Sequence, residues 1–272
     1  MNSLSSSPIG IFDSGVGGLT VAAEVIKELP LEDIIYFGDV ARTPYGSKSR
    51  ETVTRFSCEI VRFLIGQGVK LIIVACNTAS SVALDVLKKE FDLPIIGVIR
   101  AGALAALRAT QNKKVGVIGT SATIASGSYL NDLKALAPDI AVISQACPLF
   151  VPLVEEGWVS HRVTTLVAKE YLSPLKDNGV DTLILGCTHY PFLKPVIAET
   201  MGKGVRLIDS AIEVAGMTKE ILKEKGLLCQ ENKDTARKFY LSDTSTNFIE
   251  LGERLLGEKM RVITRVDVSE YA

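Results

Sequence analysis

The residues best suited to chemistry stand where two buried strands end. Leu71-Ile72-Ile73-Val74-Ala75 is a short apolar run rich in β-branched residues, and it stops at Cys76-Asn77-Thr78-Ala79-Ser80. Apolar Val82, Leu84, Val86 and Leu87 then follow at helical spacing. The design returns later in the chain, where Thr182-Leu183-Ile184-Leu185-Gly186 leads into Cys187-Thr188-His189-Tyr190-Pro191. Each reads as a buried parallel strand whose carboxyl end delivers a cysteine to a strand–helix turn. That edge of an open α/β sheet is where ligands bind. Two such ends, each with a cysteine and a nearby threonine, imply two halves facing one site.

Four chemistries compete for the pair. Both thiols could be core residues, since cysteine is often buried. Cys187, His189, Cys76 and Asp13 could form a zinc site, although the C-x-x-C spacing of structural sites is absent. A Cys–His nucleophile could form a thioester, which leaves one cysteine without a role. In the fourth, the cysteines are proton-transfer groups on opposite faces of one carbon. Inverting a stereocentre this way needs a base on one face and an acid on the other, one thiolate and one thiol. Free cysteine titrates at about 8.5, near enough to neutrality for either role. Helix N-termini after both cysteines are expected to favour the thiolate. This reading uses every unusual feature of the two turns.

Supporting groups lie at other strand ends. Pro8-Ile9-Gly10-Ile11-Phe12 ends at Asp13-Ser14-Gly15-Val16-Gly17-Gly18, and a helix follows. The G-x-G-x-x-G dinucleotide pattern fails at Thr20, and Asp13 would repel a phosphate. Asp13 can instead orient a neighbour or receive an ammonium group, while Ser14 and the turn's N–H groups can hold a carboxylate. After Ile34-Ile35-Tyr36-Phe37, the loop Gly38 to Ser47 has turn chemistry at Pro44 and Gly46, and Tyr45 can close over a small ligand. A carbanion's carboxylate needs several donors, and Ser14, Asn77, Thr78, Thr120 and Thr188 have the right chemistry. Asp13 and His189 are expected to assist, one beside each cysteine. Glu155 follows the apolar run Pro152-Leu153-Val154 and is expected to be a buried helper for His189 or Cys187. Cys58, inside a helical pattern, and Cys147, with no neighbouring base, receive no function, nor does His161.

These residues must be carried by alternating strands and helices, the pattern of an α/β fold with parallel sheets. The 272 residues are 47% hydrophobic, enough for one large or two modest cores. A net charge of −1 gives no basic excess for nucleic acid or an anionic membrane. No apolar run is long enough to span a bilayer. The segment Met1 to Ser7 lacks the character of a signal peptide, so a cytoplasmic location is expected. The five cysteines are expected to be thiols rather than a disulfide framework.

Taken together, Asp13-Ser14-Gly15-Val16-Gly17-Gly18, Arg42-x-Pro44-Tyr45-Gly46, Cys76-Asn77-Thr78-Ala79-Ser80 and Gly186-Cys187-Thr188-His189-Tyr190-Pro191 resemble the cofactor-independent aspartate/glutamate racemase superfamily. Cys-Asn-Thr alone marks the superfamily. The Thr-His after the second cysteine and the Asp-Ser-Gly-Val-Gly-Gly opening are similar to its glutamate racemase branch. The resemblance runs over nearly the whole chain. It implies proton transfer between L- and D-glutamate without PLP, another cofactor or a metal, supplying D-glutamate for peptidoglycan. Cys76 would take the proton from D-glutamate with Asp13 assisting. Cys187 would take it from L-glutamate with His189 and Glu155 assisting. Ser14, Tyr45, Gly46, Asn77, Thr78, Thr188 and His189 would line the substrate with Asp13, and Thr120 is a weaker carry-over. It further implies two similar α/β domains, 1–97 plus 209–272 and 98–208, with the site in the cleft between them, and a homodimer. One departure is Arg100-Ala101-Gly102, where the family commonly has Glu-Pro-Gly. Racemisation of aspartate or decarboxylation on one cysteine remain alternatives, as does a binding protein that has lost the chemistry.

Overall fold

The computed structural model describes residues 4–231, 234–244 and 246–271, the side chains of Thr246 and Asn247 excepted. Met1 to Ser3 of the N-terminal segment, Asn232 and Lys233 of the expected loop after Gly226, and Ala272 of the tail lie outside the described residues.

The chain begins with β1 (Ile9–Asp13), α1 (Leu19–Glu28), β2 (Ile34–Gly38), α2 (Arg50–Gly66), β3 (Leu71–Val74), α3 (Asn77–Val82), α4 (Leu84–Glu90) and β4 (Ile95–Gly97). It continues through α5 (Val98–Ala109), β5 (Lys114–Gly119), α6 (Ser121–Ala125), α7 (Ser128–Leu136), β6 (Ala141–Ala146), α8 (Phe150–Glu155), α9 (Arg162–Asp177), β7 (Thr182–Gly186), α10 (Lys194–Met201) and β8 (Arg206–Ile208). It ends with α11 (Ala211–Glu224), β9 (Arg237–Leu241), α12 (Thr246–Leu256) and β10 (Ile263–Arg265).

Two sheets result. One has the order β10-β9-β2-β1-β3-β4 and the other β6-β5-β7-β8. Every pairing among the described strands is parallel. The expected α/β class with two similar α/β units is therefore what the chain forms. The central strands β1, β3 and β7 are buried along their whole length, which explains why they read as unbroken apolar runs. Each such Ile, Leu or Val contributes roughly 1.5–3 kcal/mol by leaving water.

Local chemistry sets the helix that feeds β3. Ser49 caps α2 by accepting from the Thr52 N–H at 3.2 Å, and Gly68, at φ +77°, takes the chain out of the helix into β3. After β3 the structure differs from the single helical pattern expected: the helix breaks at Ala83 into α3 and α4. Within α3, Ser80 is tied to the end of β3 and the start of α5, donating to the Val74 carbonyl at 2.7 Å and accepting from the Val98 N–H at 3.2 Å. The Arg100-Ala101-Gly102 departure falls inside a continuous α5, with Arg100 exposed and the other two buried.

The chain's return is fastened at the amino end of the first sheet. Buried Lys70 pairs with Glu32 and also donates to the carbonyls of Ser5 at 2.6 Å and Leu227 at 2.9 Å. Glu32 in turn accepts from the Cys229 N–H at 2.9 Å. Both buried charges are fully engaged, which is the condition for tolerating them there. The opposite, carboxyl ends of β1, β3, β5 and β7 are thereby left to face one another.

Candidate active site

A cavity of about 270 Å³ lies between the two sheets at those carboxyl ends. The first unit contributes Ser14, Tyr45, Gly46, Cys76, Asn77 and Thr78, and the second contributes Thr120, Cys187, Thr188 and His189. Of the residues singled out in the sequence, these ten open onto the cavity, whereas Asp13 and Glu155 do not line it.

Cys76 caps α3. Its sulfur accepts from the Ala79 N–H at 3.5 Å and lies 3.7 Å from the Ser14 hydroxyl. The helix N-terminus favours the thiolate, as expected, but is outweighed. Burial, together with the nearby charge of Asp13, pushes its pKa up to about 12, outweighing the Ala79 and Ser14 contacts. α3 is six residues long, too short for its dipole to offset that desolvation.

Asp13 is fully buried behind the wall. It accepts from the Gly15 N–H at 3.0 Å and from the Thr188 hydroxyl at 3.2 Å, so it joins the two units. Burial raises its pKa, and the His189 charge opposes the rise.

Cys187 follows β7 directly, and its sulfur stands 3.9 Å from His189 Nδ1. His189 Nε2 lies 3.3 Å from Glu155 Oε1, at ion-pair distance but outside hydrogen-bond geometry. Glu155 thus stands beside His189 as expected, but it is not buried. It is the last residue of α8 and its side chain is 37% exposed, so the apolar run before it packs inward while the carboxylate sits at the rim. Burial opposes the charge on His189, but Cys187, Glu155 and Asp13 together raise its pKa to about 10. The folded value exceeds the free value of 6.5, so the proton's stabilisation is complete below pH 6.5 and is lost as pH rises through about 10. We expect the melting temperature of the wild type to exceed that of His189→Asn by more at pH 6 than at pH 10, the gap narrowing by roughly 5 °C. A gap independent of pH in thermal melts would show that His189 is neutral when buried.

Hydroxyls close the cavity from both sides. Thr78 and Thr120 meet across it at 2.9 Å, and Thr123 lies 3.0 Å from Thr120. Gly46 is in such close approach that a Cβ there would stand 2.6 Å from the Thr120 Cβ. Tyr45 lines the cavity, but its hydroxyl is engaged with Asp39, which also accepts from Arg42 Nε at 2.7 Å. It therefore presents ring rather than hydroxyl. Among the described residues, no group of three or more His, Cys, Asp or Glu is placed to hold a metal ion.

Sequence reasoning missed Asp39, Thr123 and Tyr129. Asp39 was findable, because a carboxylate directly after β2 repeats the logic that singled out Asp13 at the end of β1. Thr123 follows Thr120 by one helical turn, a weaker signal. Tyr129 carried none, since its partner Asn77 is reached only through the packing of α7 on α3.

The outline of this site is shared with known proteins. The model of the Asp/Glu/Hydantoin racemase family matches residues 20–218. A glutamate racemase from Geobacter metallireducens is 52% identical over 260 residues, which cover 96% of each chain. The crystal structure of glutamate racemase from Francisella tularensis in complex with D-glutamate has a TM-score of 0.91 at 44% identity, covering 98% of this chain and 100% of that one. A glutamate racemase from Bacillus anthracis gives 0.92 at 42% identity, covering 97% and 98%. With paired strand-end cysteines opening onto one cavity and this likeness over nearly its full length, the chain belongs to the Asp/Glu/hydantoin racemase family, on its glutamate racemase branch, and is an isomerase.

Proposed function

We propose that the enzyme interconverts L- and D-glutamate by moving the α-proton between Cys76 and Cys187, without PLP. The observation that carries this reading is that the two thiols enter one small cavity from different α/β units. A substrate held between them presents opposite faces of its α-carbon to the two sulfurs.

The site residues take these roles. Cys187 removes the proton from L-glutamate, and Cys76 delivers one to the other face. His189, protonated near neutrality and 3.9 Å away, supplies the counter-charge for the Cys187 sulfur, with Glu155 at its far side. Cys76, whose pKa is held near 12, carries the thiol proton that this direction requires. In the reverse direction Cys76 takes the proton from D-glutamate, and Asp13, with its own raised pKa, assists it. As the negative charge develops, hydroxyl and amide donors from Ser14, Asn77, Thr78 and Thr188 hold the carboxylates, and Thr120 closes the wall. Donors fixed before the reaction need no reorganisation as that charge forms.

The same reading extends to context. The domains are 1–97 plus 209–272 and 98–208, which the assignment of β9 and β10 to the first sheet and β8 to the second supports. D-glutamate produced here serves peptidoglycan synthesis in the cytoplasm, and the enzyme works as a homodimer without nucleic-acid or membrane partners. No described helix is long and apolar enough to cross a membrane.

Proton NMR of each enantiomer in D₂O, without added PLP, tests the reaction. The α-proton signal is expected to vanish from both, with the opposite enantiomer appearing. Loss of carboxylate instead would assign a decarboxylase. Exchange with aspartate and not glutamate would change the substrate, and tight binding without exchange would make this a binding protein.

A further inference from the structure

Tyr129 is used by none of the steps above, yet it touches both halves of the site. It is the second residue of α7 and is 2% exposed. Its ring occupies a slot between two glycines. A Cβ at Gly102 would stand 3.2 Å from the ring and from its hydroxyl oxygen, and one at Gly186 would stand 3.1 Å from it. Gly186 directly precedes Cys187. At the far end of the ring, the hydroxyl donates to Asn77 Oδ1 at 2.7 Å, and Asn77 directly follows Cys76. One rigid side chain thus spans from the strand end that carries one cysteine to the residue beside the other.

The geometry of the contact gives it a direction, with the amide oxygen turned to the hydroxyl. A carboxamide offers an acceptor on one side and two donors on the other. Burial, with the nearby charges of Asp209 and Cys187, raises the Tyr129 pKa, so the phenol keeps the proton that it places on Oδ1. Once Oδ1 is occupied, the amide nitrogen is the atom left for the cavity, which Asn77 lines. A carboxylate there meets N–H groups. Rotated by half a turn, the same amide would present an oxygen and repel it.

We infer that Tyr129 is a positioning residue that orients the Asn77 amide so that its donors face a substrate carboxylate. The inference rests on the reading of the cavity as a glutamate site. A neighbouring contact supplies the control. Ser128 donates to the Ser81 carbonyl at 2.8 Å, linking the same two helices without touching Asn77.

The test is a double-mutant cycle read by calorimetric binding of glutamate and by kcat and KM in both directions. Tyr129→Phe keeps the ring in its slot and removes only the hydroxyl. It is expected to weaken glutamate binding about tenfold and raise KM alike for both enantiomers, with a smaller change in kcat. In an Asn77→Ala background the same change is expected to have an effect under twofold. Ser128→Ala is expected to leave KM within twofold of the wild type. The inference is overturned if Tyr129→Phe binds glutamate like the wild type, or if its effect is as large without Asn77. It is also overturned if Ser128→Ala matches it, because the effect would then belong to cleft closure in general. Should the wild type itself bind no glutamate, the assignment of the cavity falls, and this inference with it.

Discussion

Replacing either cysteine by serine is expected to abolish racemisation while leaving α-proton exchange on one face. A serine hydroxyl is far too weak an acid to be ionised near neutrality, so it cannot act as the base, and as an acid it returns a proton poorly. A lost general acid or base costs about 10²–10⁴ in rate, and kcat for inversion is expected to fall at least 10³-fold in each variant. The residual exchange discriminates between the groups. In Cys76→Ser, Cys187 still reaches L-glutamate, so deuterium enters L-glutamate in D₂O while D-glutamate does not appear. In Cys187→Ser the deuterium enters D-glutamate alone. The double variant is expected to exchange neither, and to invert no more slowly than the worse single one, because the two groups act as a unit. Inversion retained in either single variant would remove the two-base scheme. Exchange on the wrong face would reverse the assignment of Cys76 to D-glutamate and Cys187 to L-glutamate. The resting charges make the two directions unequal at the start: Cys76 holds its proton up to about pH 12, while Cys187 has the protonated His189 beside it.

How much of this was legible follows from what each residue's neighbours are. The strands and the cysteines at their ends were readable because buried parallel strands impose an unbroken apolar run, and a polar residue that ends such a run must lie at the sheet's edge. Asp13, Ser14 and Thr120 were readable by the same rule. The Ala83 break was not, because the apolar spacing of Val82, Leu84 and Leu87 serves one helix or two. The burial of Glu155 was misread because an apolar run on a short helix fixes which face packs and says little about the last residue. Which cysteine keeps its proton was not legible for a physical reason: a helix N-terminus is visible in sequence, whereas desolvation depends on what the other half of the chain places over the thiol. Tyr129 and the close approach of glycines to threonines belong to that same category of contact between distant segments.

The second large effect comes from such a contact. Gly17→Ala is expected to lower kcat/KM at least 100-fold while the protein stays folded at the assay temperature. A Cβ at Gly17 would lie 2.4 Å from the Thr188 hydroxyl oxygen, 2.8 Å from its Cβ and 2.9 Å from its backbone carbonyl carbon. Retreat of the hydroxyl alone does not clear the last of these, so the turn after β1 and the turn after β7 must part. Thr188 also donates to Asp13 at 3.2 Å, so parting strains the link between the two units at the point where Cys187 is delivered. A shift of about 1 Å between reacting groups can cost 10²-fold in rate. The core is untouched, so opening the cleft should cost no more than about 1–3 kcal/mol. The control is Gly216→Ala inside α11, where a Cβ meets nothing within 4 Å. That change is expected to leave activity unaltered and to stabilise the helix by about 0.5–1 kcal/mol. Kinetics and thermal melts of the two variants separate the outcomes. Near-wild-type turnover in Gly17→Ala would mean that the closed approach of the two turns is not the state in which the proton moves. A Gly17→Ala protein already unfolded at the assay temperature would mean that the units cannot part without unfolding.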